Sequence, residues 1–262
     1  MSGFILRIIA MTTMLIDHIG WSFLDNPMLL TWIGRISFPV YGFLVAESYM
    51  FLRKDNKRLL KYFVLLLILA LVSEFCYDLM HYGLNYRSYL KSQNNIFTLI
   101  LGFVGIYYTD KLLLMNKKIK MSRIFIIIFT YIFLGFTNYY IKGNYNIAGP
   151  LLIISFYWYL RYSKTKTYDN KWNWFKRFIV LLIIFIVYLL FYFWVRCGFA
   201  STSIWLKTMK EYLPWIFGHL LAVIILSFSN GKLGYHEKWF KNLYRGFYPV
   251  HQLIIGIINI LV

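Results

Sequence analysis

The residues that could carry chemistry in this chain sit inside long apolar runs, where ionisable groups are least expected. Asp17 and His18 interrupt the first run, Arg35 and Glu47 the second, and Glu74 and Asp78 the third, while His219 and His251 fall in later ones. A charged side chain inside a membrane helix costs about 2.5–3.5 kcal/mol on insertion scales. Such groups persist where they pair, line a water-filled cavity or react. His18 stands out, because a neutral imidazole can act as base, nucleophile or ligand. Its neighbour Asp17 points about 100° away around the helix, so the expected orienting group is a carboxylate from another helix. Glu74 and Asp78 share a face at a spacing of four, continued by His81. Arg35 offers a fork of donors for a developing oxyanion or an anionic acceptor. Tyr244, Tyr248 and His251 share one helical face at i, i+4, i+7; His251 is a candidate second acid or base and Tyr248 a candidate substrate contact. Asn94 and Asn95 open the fourth run and add substrate-binding candidates.

Depth supports grouping these residues. At about 1.5 Å per residue, Asp17 and His18 lie about 22 Å along the first helix, and Arg35 about 9 Å into the second from the other side. Blander readings stand beside this one. Asp17 and Arg35 form an architectural ion pair in one of them. In others Glu74 and Asp78 face water, Glu47 pairs with Lys54, His219 beside Gly218 is a packing histidine, and the Tyr–Tyr–His stripe is structural.

The elements that must position these groups follow from composition. The 262 residues are 60% hydrophobic and 15% charged, against about 45–50% and 25% in soluble domains. The apolar residues gather into blocks of about bilayer length. About nine helices are expected, at roughly 3–24, 29–52, 59–82, 94–114, 122–141, 146–160, 177–196, 213–229 and 242–262, with eight to ten spans possible. The fold class is therefore all-α: a polytopic membrane helical bundle forming one domain over 1–262. The first run holds Asp17 and His18 and no small-residue cleavage site follows it, so it reads as a retained helix. Two cysteines, Cys76 and Cys197, exclude a disulfide framework.

The net charge of +18 does not point to nucleic acid, because the basic residues sit in short loops between the runs. With the N-terminus cytoplasmic, 21 of the 28 Lys and Arg residues fall inside and 6 outside, with Arg35 within a helix. That bias predicts a multi-pass cell-membrane protein with its N-terminus in the cytoplasm. Tyr107, Tyr108, Tyr139, Tyr140, Trp172 and Trp174 recur near helix ends, as an interfacial belt requires. The sequence has no zinc motif, P-loop, nucleophile elbow or dinucleotide fingerprint. It has no internal repeat.

Ordered blocks of this chain resemble the TraX family of membrane proteins. They are Met14–Gly20, Ile33–Pro39 with Gly42, Phe43, Ala46 and Glu47, Ser73–Leu79, Asn94–Gly102, Asn144–Gly149 and Phe247–His251, with the Asn230–Lys232 turn before the last helix. The family's namesake is associated with N-terminal acetylation of conjugative pilin. The resemblance thus implies an acyltransferase with acetyl-CoA as cosubstrate and no metal. More distantly, the layout is similar to transmembrane acyltransferases that acetylate extracytoplasmic sugars. One departure is visible: the family often has Asp-Tyr-Gly where this chain has Asn144-Tyr145-Asn146.

The expected function is acetylation of an exported peptide or glycan by a membrane acyltransferase. His18 would be the base or transient acyl carrier, Arg35 the oxyanion or anion contact, and Glu74 or Asp78 the orienting carboxylate. Asp17 and His251 complete the expected catalytic set, and Asn94, Asn95 and Tyr248 the substrate contacts. The alternatives are a transporter or proton-coupled relay, built from the same residue types, and a non-catalytic assembly or immunity protein.

Overall fold

A computed structural model describes residues 1–24, 28–85, 91–114, 121–165, 174–198 and 201–261. Among the basic and aromatic residues counted above, Arg87, Lys117, Lys118, Lys120, Lys166, Lys171 and Trp172 lie outside them. The described residues form helices joined by short irregular segments, with no strand among them. In order run α1 (Gly3–Phe23), α2 (Met28–Gly34), α3 (Ser37–Leu52), α4 (Asn56–Tyr82), α5 (Asn95–Leu114) and α6 (Met121–Tyr140). Then come α7 (Ala148–Thr165), α8 (Trp174–Cys197), α9 (Thr202–Glu211), α10 (Leu213–Ser227) and α11 (Lys238–Leu261).

Every expected helical segment is present, and two details differ. The second segment breaks between α2 and α3, and α9 is an addition. Pro39 explains the break. It has no N–H for the Arg35 carbonyl, and its ring crowds that carbonyl, so the helix cannot continue through Arg35–Ile36. The α9 helix buries none of its residues and meets α10 at a bend of 63°. Among the described residues, six segments are long and apolar enough to cross a membrane, counting α2 with α3 as one, and seven if α9 and α10 form a broken span. The expected spans at α7 and α11 fall outside that group. The last turns of α7 carry Arg161 and Lys164, and α11 opens with Lys238, Lys241 and Arg245, which lowers their mean apolarity.

The core gathers α3, α5 and α7, with α8 and α10 closing one side. Glycines let α5 approach α7. A Cβ on Gly102 would lie 2.6 Å from Ile153, and one on Gly105 would lie 2.5 Å from Ile154. Such small-residue contacts replace the hydrophobic drive that lipid removes. The outer faces are apolar as well. Leu60, Ile68, Leu71 and Phe75 of α4 and Phe125, Phe129 and Phe133 of α6 are all exposed at helical spacing. Only hydrocarbon covers such stripes without cost. Tyr108, Tyr139, Tyr140 and Trp174 of the anticipated belt are exposed.

One end of the bundle is organised by charge. The N-terminus donates to the Phe228 carbonyl. Gly3 and Phe4 donate to the carbonyls of Lys232 and Leu233 at 2.8 and 3.0 Å, so the starts of α1 and α11 lie at this basic end. Asp55 caps α4 there by accepting from the amides of Lys57 and Arg58 at 3.0 and 3.1 Å. Asp110 of α5 is only 1% exposed and collects four donors. Tyr49 and Arg53 of α3 reach it at 3.0 and 3.1 Å, and Tyr157 and Arg161 of α7 both at 2.6 Å. One carboxylate thereby ties together the basic ends of three helices.

Candidate functional site

The candidate site is built at the opposite level, around α1. His251 of α11 places its Nδ1 2.6 Å from the Phe247 carbonyl. A carbonyl only accepts, so Nδ1 carries the proton. His251 Nε2 lies 2.8 Å from His18 Nδ1. With both rings neutral, His251 Nε2 accepts and His18 Nδ1 donates. That order leaves the lone pair of His18 on Nε2, the arrangement a base or nucleophile needs. His81 stands 6.5 Å from His18, centroid to centroid, and 4.8 Å from Trp21. Its own Nδ1 lies 2.9 Å from the Tyr77 carbonyl.

This corrects one expectation. The group that orients His18 is His251, and neither Glu74 nor Asp78 bonds to it. Glu74 lies seven residues before His81, about 10 Å along the helix, and there it serves the start of α5. Its Oε2 accepts from the Asn94 amide at 3.0 Å and from Asn94 Nδ2 at 2.6 Å. Asp78 is 4% exposed, and its Oδ1 has no hydrogen-bond partner. Asn94 is likewise recast. It is fully buried, and its Oδ1 accepts from the Ile96 amide at 3.0 Å. Its Nδ2 also donates to the Ala70 carbonyl at 2.9 Å, so it caps α5 and has no spare group for a substrate.

Asp17 and Arg35 do come together, at 4.0 Å. Gly34 permits this, because any Cβ there would collide with the Asp17 side chain. Gly218 of α10 similarly makes room for Arg35 and the Trp32 carbonyl. The Tyr145 hydroxyl stands close to Arg35 in the same cleft. His219 packs within the core: its Nδ1 bonds the Trp215 carbonyl at 2.9 Å, and its ring lies 4.1 Å from Trp215 and 5.7 Å from Phe185. Glu47 is buried next to Gly3, at the start of α1.

Two irregular segments reach into the bundle beside these groups. The Gln93 amide donates to the Lys142 carbonyl at 3.1 Å, which pairs the approach to α5 with the α6–α7 connection. Non-helical backbone at membrane depth is tolerated where protein satisfies it or where it lines a cavity. Asn138, fully buried, does that work. Its Nδ2 donates to the Asn146 carbonyl at 2.5 Å, its Oδ1 accepts from Thr98 at 3.0 Å, and its carbonyl accepts from the Gly143 amide at 2.8 Å. Asn146 has a φ of +46°, where glycine fits freely and asparagine is among the best substitutes. The third position of the Asn144-Tyr145-Asn146 run thus adopts a conformation that glycine would also adopt freely. At its first, Asn144 keeps a polar contact with the Tyr77 hydroxyl.

Two hollows approach this level. A cavity of about 600 Å³ runs between α1, α3, α4, α5 and α11, with Arg7, Arg58, Lys241 and Arg245 at the basic end and Met14, Asn95 and Tyr248 at its head. A cleft of similar volume is lined by Trp21, Arg35, His81, Asn95, Tyr145 and Trp215. Asn95 lines both, and its Oδ1 has no hydrogen-bond partner. Between them Phe38, facing the cavity, stacks on Tyr145, facing the cleft, at 3.5 Å and 10°. His18 lines neither hollow; it sits one turn after Met14, which lines the cavity, and one turn before Trp21, which lines the cleft.

Sequence reasoning missed Asp110 and Asn138. Asp110 stands beside Lys111 at a helix end, as a solvated residue would, and Asn138 is one polar residue in the last turn of α6. The only local signal for Asn138 is the glycine and paired asparagines that follow it.

Together these features define a polytopic helical membrane protein with a bonded histidine pair beside two hollows. The family profile described as TraX protein matches residues 2–259, and the chain belongs to the TraX family. No curated protein and no solved structure matches it.

Proposed function

We propose that the protein is a membrane acyltransferase that takes an acetyl group from acetyl-CoA on the cytoplasmic side and passes it to an extracytoplasmic acceptor. The observation that carries this reading is the pair of hollows converging on Asn95 at the level of His18. The cavity suits the donor. Its basic mouth matches an anionic nucleotide, and its aliphatic shaft, including Leu44, Leu66 and Leu99, matches a long flexible arm. The cleft suits the acceptor. His18 Nε2 takes the acceptor's proton or carries the acetyl group between the two. Arg35 lines the cleft and steadies the oxyanion that develops on the carbonyl, and His251 holds His18 in the required tautomer. The deciding experiment is turnover of radiolabelled acetyl-CoA by the purified protein. Absence of both binding and thioester cleavage would leave a transporter or an assembly protein as the better reading.

This reading needs the basic end in the cytoplasm, as the positive-inside bias directs. Cys197, partly exposed at the end of α8, should react with an impermeant maleimide in intact cells. A cysteine at Lys57 in a Cys197→Ser background should react only after lysis. The reverse pattern would overturn the orientation.

Arg35 tests the site against plain architecture. If it only pairs with Asp17, Arg35→Ala strands a carboxylate, and adding Asp17→Ala restores both stability and transfer. The expected result is recovery of detergent thermal stability without recovery of acetyl transfer. Arg35→Lys should fail too, because an ammonium lacks the fixed fork of donors.

A further inference from the structure

We infer that the acceptor is a carbohydrate, acetylated at a sugar hydroxyl or amino group; this rests on the acyltransfer reading and names the substrate class of its cleft. Six of the thirteen residues lining the cleft are aromatic: Trp21, Tyr77, Tyr145, Tyr192, Tyr212 and Trp215. Met28 is the only aliphatic one among the described residues. The donor cavity, rich in leucine, is the opposite. A lipid acceptor would select aliphatic walls, so the cleft is built for something flat on one face and polar at the edge. A pyranose has that form. Its C–H face lies on indole or phenol rings, which are apolar in the body and polar at the tip, while its hydroxyls need both donors and acceptors around the rim. Asn95 and Asn144 supply both from their amides, Arg35 supplies donors and Glu211 an acceptor.

A peptide N-terminus fits less well, because a helical wall offers no strand edge for its backbone. The volume of about 600 Å³ lies within the range of about 300–1,000 Å³ usual for small-ligand pockets.

The chemistry balances. The acetyl carbonyl carbon exchanges its bond to the thioester sulfur for a bond to the sugar oxygen or nitrogen. The proton released by the sugar passes to His18 Nε2 and leaves on the coenzyme thiol.

The test uses the purified protein in nanodiscs with radiolabelled acetyl-CoA. The acceptors are methyl β-D-glucopyranoside, glucosamine and N-acetylglucosamine on one side and the tripeptide Ala-Ala-Ala on the other. Label is expected in at least one sugar and not in the tripeptide. The same sugar should shift the intrinsic tryptophan fluorescence of the protein without acetyl-CoA. Trp215→Ala should raise the KM for that sugar by about tenfold or more, with a smaller effect on kcat. Tyr212→Ala, at the bend between α9 and α10, gives the same readout if the tryptophan variant does not fold. Label on the peptide amine with the sugars silent overturns the inference. So does His18-dependent thioester cleavage with no sugar product, which leaves the acyltransfer reading standing. Loss of acetyl-CoA turnover altogether overturns both.

Discussion

His18→Ala is expected to lower acetyl transfer by more than about 100-fold, the low end for removal of a general acid–base, while the purified protein keeps its melting temperature. The size follows from the chain of bonds. The Phe247 carbonyl fixes the His251 proton on Nδ1, His251 Nε2 then fixes the His18 proton on Nδ1, and the reacting lone pair is left on His18 Nε2. Alanine removes the reacting nitrogen itself. His251→Ala removes only what holds it, so its loss should be smaller, about tenfold, and should fall on kcat more than on KM. Measuring thiol release and acceptor acetylation side by side separates two roles. If His18 carries the acetyl group, both readouts vanish and a labelled enzyme intermediate trapped in the wild type is absent from the mutant. A well-folded His18→Ala protein with wild-type transfer would return His18 to packing.

The second large effect is on stability. Asp110→Ala should cost about 3–5 kcal/mol, the range for removing one partner of a buried ion pair. The lower end is the better guess, because Arg53 and Arg161 keep 28% and 27% of their side chains exposed and solvent relieves part of the stranded charge. Removing either arginine alone should cost less, since the other guanidinium and both tyrosine hydroxyls still hold the carboxylate. Removing Asp110 and both arginines together should recover part of the loss, because no buried charge then lacks a partner. Thermal unfolding in one detergent, followed by size exclusion, ranks the variants. A single-mutant Asp110→Ala protein as stable as the parent would show that α3, α5 and α7 do not depend on this hub.

The helices were legible because bilayer length and apolarity act within each segment, so α1, α4, α5, α6 and α8 need no partner to be recognised. The break before Pro39 was also written locally, though reading it required treating the proline as a stop inside an apolar run. Residue type alone brought several polar groups to attention, because ionisable and amide groups are costly in lipid. Of these, Arg35, Asn95 and Tyr248 line the hollows, Asp17 pairs with Arg35, and His18 and His251 bond to each other. What remained hidden was pairing. His18 and His251 are separated by 233 residues, and no periodicity within either helix says which faces meet. Glu74 shows the same limit. Its partner is Asn94, brought to it by how deeply the segment before α5 descends, a tertiary property set by Gln93, Lys142 and Asn138.

The thin layer between the two hollows also has an electrical consequence. If, as proposed, the hollows open to opposite sides and fill with water and ions, they extend the two bulk phases, and the membrane voltage would no longer fall evenly across about 30 Å of hydrocarbon. It would fall mainly across the Phe38–Tyr145 ring pair and its immediate surroundings. A whole elementary charge crossing that layer would exchange about 2.3 kcal/mol with every 100 mV. On the proposed reading, the acetyl group would cross it neutral and unaffected by the field. A proton shuttled by His18 is affected only if it is taken up on one side and given up on the other. The dependence of turnover on imposed voltage in liposomes would therefore report on which side of the ring pair the proton enters and leaves.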